Sequence, residues 1–196
     1  MSYIWLLILA YLAGAMPFGL LLAKGICHID LRQAGSRNTG ATNVARTCGL
    51  KMGIAVLVLD ILKGYLPVAL AVHMGSSAFF PTLAALAAIL GHMYSVFLSG
   101  RGGKGVATSV GIFLALSPIA LFWGVGVCLV LIYLTGFVSL GSLALVSVVP
   151  LVLLLTGEFG LLFVSVLIMG LVFWKHRENI DRLSQGKENS WRKENC

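Results

Sequence analysis

Long apolar stretches separated by short polar ones dominate the chain. They run Ser2–Ala23, Gly53–Met74, Phe79–Leu98, Val106–Leu134, Phe137–Leu155 and Phe159–Trp174. About 20 apolar residues in a helix cross the hydrocarbon of a bilayer, so these stretches predict membrane spans. Polar segments fall at Lys24–Met52, at Ser99–Gly105 and in the tail Lys175–Cys196. Val106–Leu134 is long for one crossing and contains Ser117-Pro118. Proline fixes φ and removes a helix donor. The stretch is therefore expected to split there into two short helices, the first of about a dozen residues. The pattern predicts an all-α integral membrane protein with seven transmembrane helices.

Charge orients the spans. Of the 14 lysines and arginines, only Lys63 lies inside an apolar stretch. Lys24, Arg32, Arg37, Arg46 and Lys51 occupy the first polar segment, and Arg101 and Lys104 the second. Lys175, Arg177, Arg182, Lys187, Arg192 and Lys193 occupy the tail. The positive-inside rule puts all three on the cytoplasmic face. Parity then places the N-terminus outside and the C-terminus in the cytoplasm. A short outer turn is expected near Gly75–Ala78. The net charge of +7 reads as topology and anionic ligands, not as a nucleic-acid surface.

Composition agrees. The chain is 59% hydrophobic and 11% charged, against about 45–50% and about 25% in soluble domains. Residues 1–196 read as a single polytopic membrane domain, with cytoplasmic motif segments 24–52, 99–108 and 175–196. Met1–Trp5 carries no basic residue, so the first stretch is expected to stay as a span rather than serve as a signal peptide. Cys27, Cys48, Cys128 and Cys196 form no CxxC pair, and no His/Cys cluster has metal-ligand spacing. No metal or organic cofactor is expected.

Three segments carry chemistry. Gly35–Arg46, GSRNTGATNVAR, alternates small residues with hydrogen-bonding ones. Successive amides in such turns form nests for phosphate oxygens, and Ser36, Asn38, Thr42, Asn43 and Arg46 add side-chain donors. Gly40 belongs to the same turn. Gly100–Thr108, GRGGKGVAT, is a glycine-rich turn with a lysine running into a helix, and a helix N-terminus favours anions. It lacks Walker A spacing, so no nucleotide hydrolysis is expected. Gly102, Gly103, Lys104, Gly105 and Thr108 are its candidates. The third segment, His176–Glu188, puts His176, Asn179 and Leu183 on one face if helical. The H-x-x-x-x-D spelled by His176 and Asp181 diverges by about 140° on a helix and is read as accidental.

His92 joins the candidates because it enters the same cytoplasmic face. His73 lies at the outer end of the second span. Asp60 and Lys63, at i and i+3 inside that span, are expected to pair, since intramembrane charges are costly alone. Glu158 has no partner legible in the sequence. No serine triad, carboxylate pair or metal cluster is apparent. The expected chemistry is therefore that of an already activated substrate held in the right geometry. Transport of a small organic anion is the competing class, since intramembrane charges and broken helices suit it. Against it, there is no inverted repeat and the motifs cluster at one surface. A CDP-alcohol phosphotransferase needs clustered aspartates for a metal; Asp30, Asp60 and Asp181 are scattered.

Size, span pattern and the motifs GSRNTGATNVAR, GGKGVAT and HRENIDRLSQGKE, in that order, resemble the bacterial acyl-phosphate-dependent glycerol-3-phosphate acyltransferases, the PlsY family. The resemblance covers nearly the whole chain. It implies an enzyme of phospholipid synthesis in the bacterial inner membrane, with its site on the cytoplasmic face. It implies acyl phosphate and glycerol-3-phosphate as substrates, lysophosphatidate and phosphate as products, and no covalent acyl-enzyme. The soluble enzyme that makes acyl phosphate is an admissible partner. Carried over residue by residue, the family's functional serine and arginine fall on Ser36 and Arg46. Its glycerol-3-phosphate loop falls on Gly102, Gly103, Lys104 and Gly105, and its histidine and asparagine on His176 and Asn179. Gly186 and Glu188 take structural roles.

Overall fold

The computed structural model describes residues 4–75 and 79–192. All regular structure among the described residues is helical. The expected outer turn thus lies, from residue 76 on, outside the described residues, as do Lys193 and Cys196. The chain divides into two compact units, Met1–Leu116 and Ser117–Cys196.

In the first unit the opening apolar stretch is two helices, α1 (Ile4–Ala15) and α2 (Phe18–Ile26). Proline causes the break. Pro17 offers no N–H, and its ring pushes the preceding residue out of helical geometry. Carbonyls freed at such a break find no water inside a bilayer and need protein donors. Ser95 Oγ donates to the Ala15 carbonyl at 2.6 Å, and Lys63 Nζ to that of Met16 at 2.8 Å. A short helix, α3 (Ala41–Cys48), lies within the first polar segment and is followed by α4 (Leu50–His73). Next come α5 (Phe79–Met93), a 3-10 turn at Val96–Leu98, and α6 (Val106–Leu116). Leu20, Ala23, Leu31, Val44 and Val56 form a buried cluster that seats α2 and α3 on α4.

Small residues bring the spans together. A Cβ on Gly14 would overlap the Ala88 backbone, and one on Gly91 the Tyr11 carbonyl, so α1 and α5 meet backbone to backbone. Gly64 against Thr108 and Gly111 against Ile61 do the same for α4 and α6. Such contacts favour association where no hydrophobic force acts between helices.

In the second unit, α7 (Pro118–Thr135) starts with Pro118 in its first turn and Ser117 as N-cap. The predicted split of Val106–Leu134 at Ser117-Pro118 is therefore present. Proline suits a helix start because its missing N–H is not needed there. Glu158 finds a partner here, accepting from Ser117 Oγ at 3.0 Å. Gly136, left-handed, turns the chain into α8 (Val138–Thr156), which packs along α7. A 3-10 turn at Phe159–Leu161 leads into α9 (Leu162–Lys175), and α10 (Arg177–Ser184) follows. The tail returns to α7: the Trp191 indole donates to the Ile132 carbonyl at 3.2 Å, and Arg192 donates to that of Tyr133. The Arg192 bond supplies a donor near the end of a helix, where carbonyls lack intrahelical partners, and the Trp191 bond adds a second donor to a carbonyl that already accepts the Gly136 N–H.

Five helical segments are long and apolar enough to cross a membrane: Ile4–Ile26, Leu50–His73, Phe79–Leu98, Pro118–Thr135 and Val138–Thr156. Phe159–Lys175 and Arg177–Ser184, bent 63° from each other, make a sixth when the pair is taken as one span. At 11 residues, α6 is about 16 Å long, against about 30 Å of hydrocarbon. Large apolar side chains such as Phe122 and Phe163 are more than 70% exposed, as lipid-facing residues are.

Candidate active site

The Gly35–Arg46 segment is held from inside by one side chain. Asn43 is buried; its Oδ1 accepts the Ser36 N–H at 2.9 Å. Its Nδ2 donates to the carbonyls of Ala34 at 3.1 Å and Asn38 at 2.8 Å. Both amide protons therefore go to the loop. Asn38 Oδ1 accepts the Gly40 N–H at 2.9 Å and sets the entry into α3. Ser36, Thr42 and Arg46 sit on the exposed side of this scaffold. Asn43, expected as a phosphate ligand, is thus the organiser of the loop that presents them. Nearby, Arg32 and Lys24 both pair with Asp30, at 2.7 and 3.1 Å. The Arg32 guanidinium, with Lys24 behind it, holds that carboxyl well below the usual carboxylate range.

The glycine-rich segment folds back on the end of α5. The Gly102 N–H donates to the Met93 carbonyl at 3.2 Å and the Gly103 N–H to the His92 carbonyl at 3.1 Å. Gly102 and Gly103, expected as phosphate ligands, thus commit their amides to the protein, because the end of α5 leaves carbonyls that need donors. Gly105, at φ +86°, supplies the left-handed turn into α6. Thr108, also expected as a phosphate ligand, is fully buried and shares a 3.0 Å hydrogen bond with His92 Nδ1. His92, 7% exposed, thus belongs with the glycine loop.

The two segments meet. Thr39 of the first and Gly103 of the second line one small cavity of about 10 Å³, together with Asp60, Lys63, His92 and Ser95. Asp60 and Lys63 form the expected ion pair, 2.8 Å apart, with side chains 3% and 5% exposed. Lys63 also caps the broken first span at Met16. An apolar groove of about 430 Å³ runs along the same unit, lined by residues including Leu9, Leu12, Leu66, Leu70 and Phe97. Met16 lines both the groove and the polar cavity.

In the second unit His176 marks the bend between α9 and α10 and is 3% exposed. Its Nδ1 lies 2.8 Å from the Val172 carbonyl. A carbonyl only accepts, so Nδ1 carries a proton and Nε2 is the basic nitrogen. Asn179, on the same side of α10, donates Nδ2 to Glu188 Oε1 at 2.6 Å. Ser139 and Arg182 donate to the same carboxylate at 2.9 and 2.8 Å. Burial alone raises the Glu188 carboxyl; the hydrogen bonds from Asn179, Ser139 and Arg182 outweigh it, so the group stays below its ordinary value. Glu188 as organiser of Asn179 carried no signal beyond its position in the third motif. Among the described residues, no group of three His, Cys, Asp or Glu could hold a metal ion.

Comparison with known proteins adds a second kind of observation. The model of the family described as "Glycerol-3-phosphate acyltransferase" matches residues 4–186. A glycerol-3-phosphate acyltransferase of Nitratidesulfovibrio vulgaris is 54% identical over 192 residues, covering 98% of this chain and 58% of its own length. The chain therefore spans less than two thirds of that relative. One of Maridesulfovibrio salexigens is 48% identical over 193 residues, covering 98% and 99%. The crystal structure of PlsY (YgiH), an integral membrane glycerol 3-phosphate acyltransferase, in its glycerol 3-phosphate form, has a TM-score of 0.94 at 40% identity. That match covers 98% of this chain and 96% of the other. The lysophosphatidic acid form of the same enzyme matches at a TM-score of 0.91 and 39% identity.

Proposed function

The chain belongs to the glycerol-3-phosphate acyltransferase family, and from that premise we propose that it moves a fatty acyl group from acyl phosphate to the sn-1 hydroxyl of glycerol-3-phosphate. The products are lysophosphatidate and inorganic phosphate, and no acyl-enzyme forms. The observation that supports this reading is that the Gly35–Arg46 and Gly102–Gly105 segments meet, with Ser36, Thr42 and Arg46 on the exposed side of the first and an apolar groove close by at Met16. Anionic head groups need the exposed donors, and an acyl chain needs the groove.

Acyl phosphate is a mixed anhydride, so its phosphate is already a good leaving group. The hydroxyl oxygen attacks the carbonyl carbon, the bond to phosphate oxygen breaks, and phosphate departs with the electron pair. The hydroxyl proton passes to a substrate phosphate oxygen. Ser36, Arg46 and Lys104 clamp the phosphates and offset charge on the developing oxyanion. Asn43 and Thr108 act behind them, by holding the loops. His176 and Asn179 are functional through the third motif; His176 Nε2 is the competing proton acceptor. The acyl chain lies in the apolar groove, in contact with lipid. The protein sits in the bacterial inner membrane with seven crossings, N-terminus outside, as one polytopic domain. All three motifs face the cytoplasm, within reach of a soluble enzyme that makes acyl phosphate.

The test is direct. Purified protein receives acyl phosphate and glycerol-3-phosphate, and phosphate and lysophosphatidate are measured together; a parallel reaction replaces the donor with acyl-CoA. Equal yields of both products, abolished by Arg46→Ala, are expected. Product only from acyl-CoA would discard the donor. A His176→Gln variant is expected to keep its pH profile; loss of the acidic limb together with most of kcat would make imidazole the acceptor. No product from a folded sample would favour transport, read as uptake of labelled glycerol-3-phosphate into proteoliposomes.

A further inference from the structure

We propose that His92 is a positioning residue, the template against which the Gly102–Gly105 loop and its Lys104 are set for the phosphate of glycerol-3-phosphate. The proposal rests on the acyl-transfer reading and deepens it. Three contacts carry it. Thr108 Oγ1 holds the imidazole at Nδ1 at 3.0 Å, with both residues buried. The His92 carbonyl accepts the Gly103 N–H at 3.1 Å. The ring lies so close beneath Gly103 that a Cβ there would overlap Nε2 and crowd Cε1. One residue therefore fixes the loop by backbone and by ring, and the next residue in the chain is Lys104. Buried ring atoms in close contact transmit displacement, because interiors are packed to crystal density. A shift of the imidazole therefore moves the loop that carries Lys104.

Glycine at 103 is then required by the imidazole, which gives a coupling that can be measured. Glycerol-3-phosphate KM and kcat are compared for the wild type, Gly103→Ala, His92→Ala and the double variant, each as full-length protein in detergent. A loss of binding shared by ground and transition states raises KM and spares kcat. Gly103→Ala is expected to raise KM about tenfold with kcat within about twofold. In the His92→Ala background the same change is expected to move KM by less than about twofold, since the space is already open. Thr108→Val, which keeps shape and removes the hydroxyl, raises KM in the same direction, and Thr108→Ser restores it. Additive effects of the two alanine changes, or variants that lose thermal stability with KM unmoved, overturn the proposal. Calorimetric binding of glycerol-3-phosphate reads the same cycle without turnover. Wild-type protein that binds but gives no product sinks the acyl-transfer reading alone, and wild-type protein that does not bind sinks both.

Discussion

At the scale of single residues, buried charge is the feature that matters most. Asp60 and Lys63 are almost fully enclosed, yet each has work in the fold: they pair with each other, and Lys63 caps the Met16 carbonyl. Breaking a buried pair from one side leaves an uncompensated charge and costs about 3–5 kcal/mol, while replacing both partners with apolar residues is often close to neutral. Asp60→Leu is therefore expected to lower the thermal midpoint in detergent sharply. Asp60→Leu with Lys63→Met recovers much of that loss, less the share due to Met16, about 1.5–3 kcal/mol for a hydrogen bond from a charged donor. A double variant no better than the single would refute the pairing. Glu188 is the second case. Its folded value is depressed, so its contribution is present above the unfolded carboxylate value and is lost as pH falls through the lower folded one. The thermal midpoint is expected to drop as pH falls below the ordinary glutamate value of about 4.3, and to drop less in Glu188→Gln. Equal slopes in both proteins would count against it. The Asp60–Lys63 pairing was legible because i, i+3 spacing puts both on one helix face. Neither Lys63 on Met16 nor His92 on Thr108 was legible, since each contact joins separate helices.

Among the elements, proline and glycine decide where helices end and how closely they pack, and the sequence discloses only part of this. The break at Ser117-Pro118 was legible because the proline lies in a stretch too long for one span. The break at Met16-Pro17 was not, because apolar residues continue through it without a polar marker. Pro67 and Pro150 sit inside helices, so proline alone does not signal a break. Helix α3 was hidden too: ATNVARTC has no long apolar stripe, and it forms because Val44 is buried in the cluster with Leu31 and Val56. Between α4 and α6, Gly64 and Gly111 admit the opposing backbone. Overpacking such a contact costs about 1–3 kcal/mol. Gly111→Val is therefore expected to lower the thermal midpoint by that order and to reduce activity, because α6 carries Thr108 and follows directly on the glycine loop. Unchanged stability in Gly111→Val would mean that α4 and α6 part without cost.

For the whole molecule, the open quantity is parity. Between Arg101 and Arg177 the chain runs through α6, α7, α8 and α9. If all four cross, both basic segments face the cytoplasm. If the short α6 does not, the tail lies outside, with Lys175, Arg177, Arg182 and Lys187 on the face that basic residues avoid. Helix length speaks against a crossing, since α6 covers about half the hydrocarbon thickness. Charge speaks for it. A basic residue is one of the strongest orienting signals a short loop carries, and the tail holds several. Backbone contact with α4 also lets a short helix sit in a protein-lined interior rather than in lipid. Charge is therefore expected to prevail. On a background without the native cysteines, Arg32→Cys, Arg101→Cys and Lys187→Cys are expected to react with a membrane-impermeant maleimide only after cells are opened. Thr156→Cys, at the far end of α8, is expected to react in intact cells. Labelling of Lys187→Cys from outside would leave six crossings and put the third motif on the opposite face from the other two. A single cytoplasmic site built from all three motifs would then be ruled out.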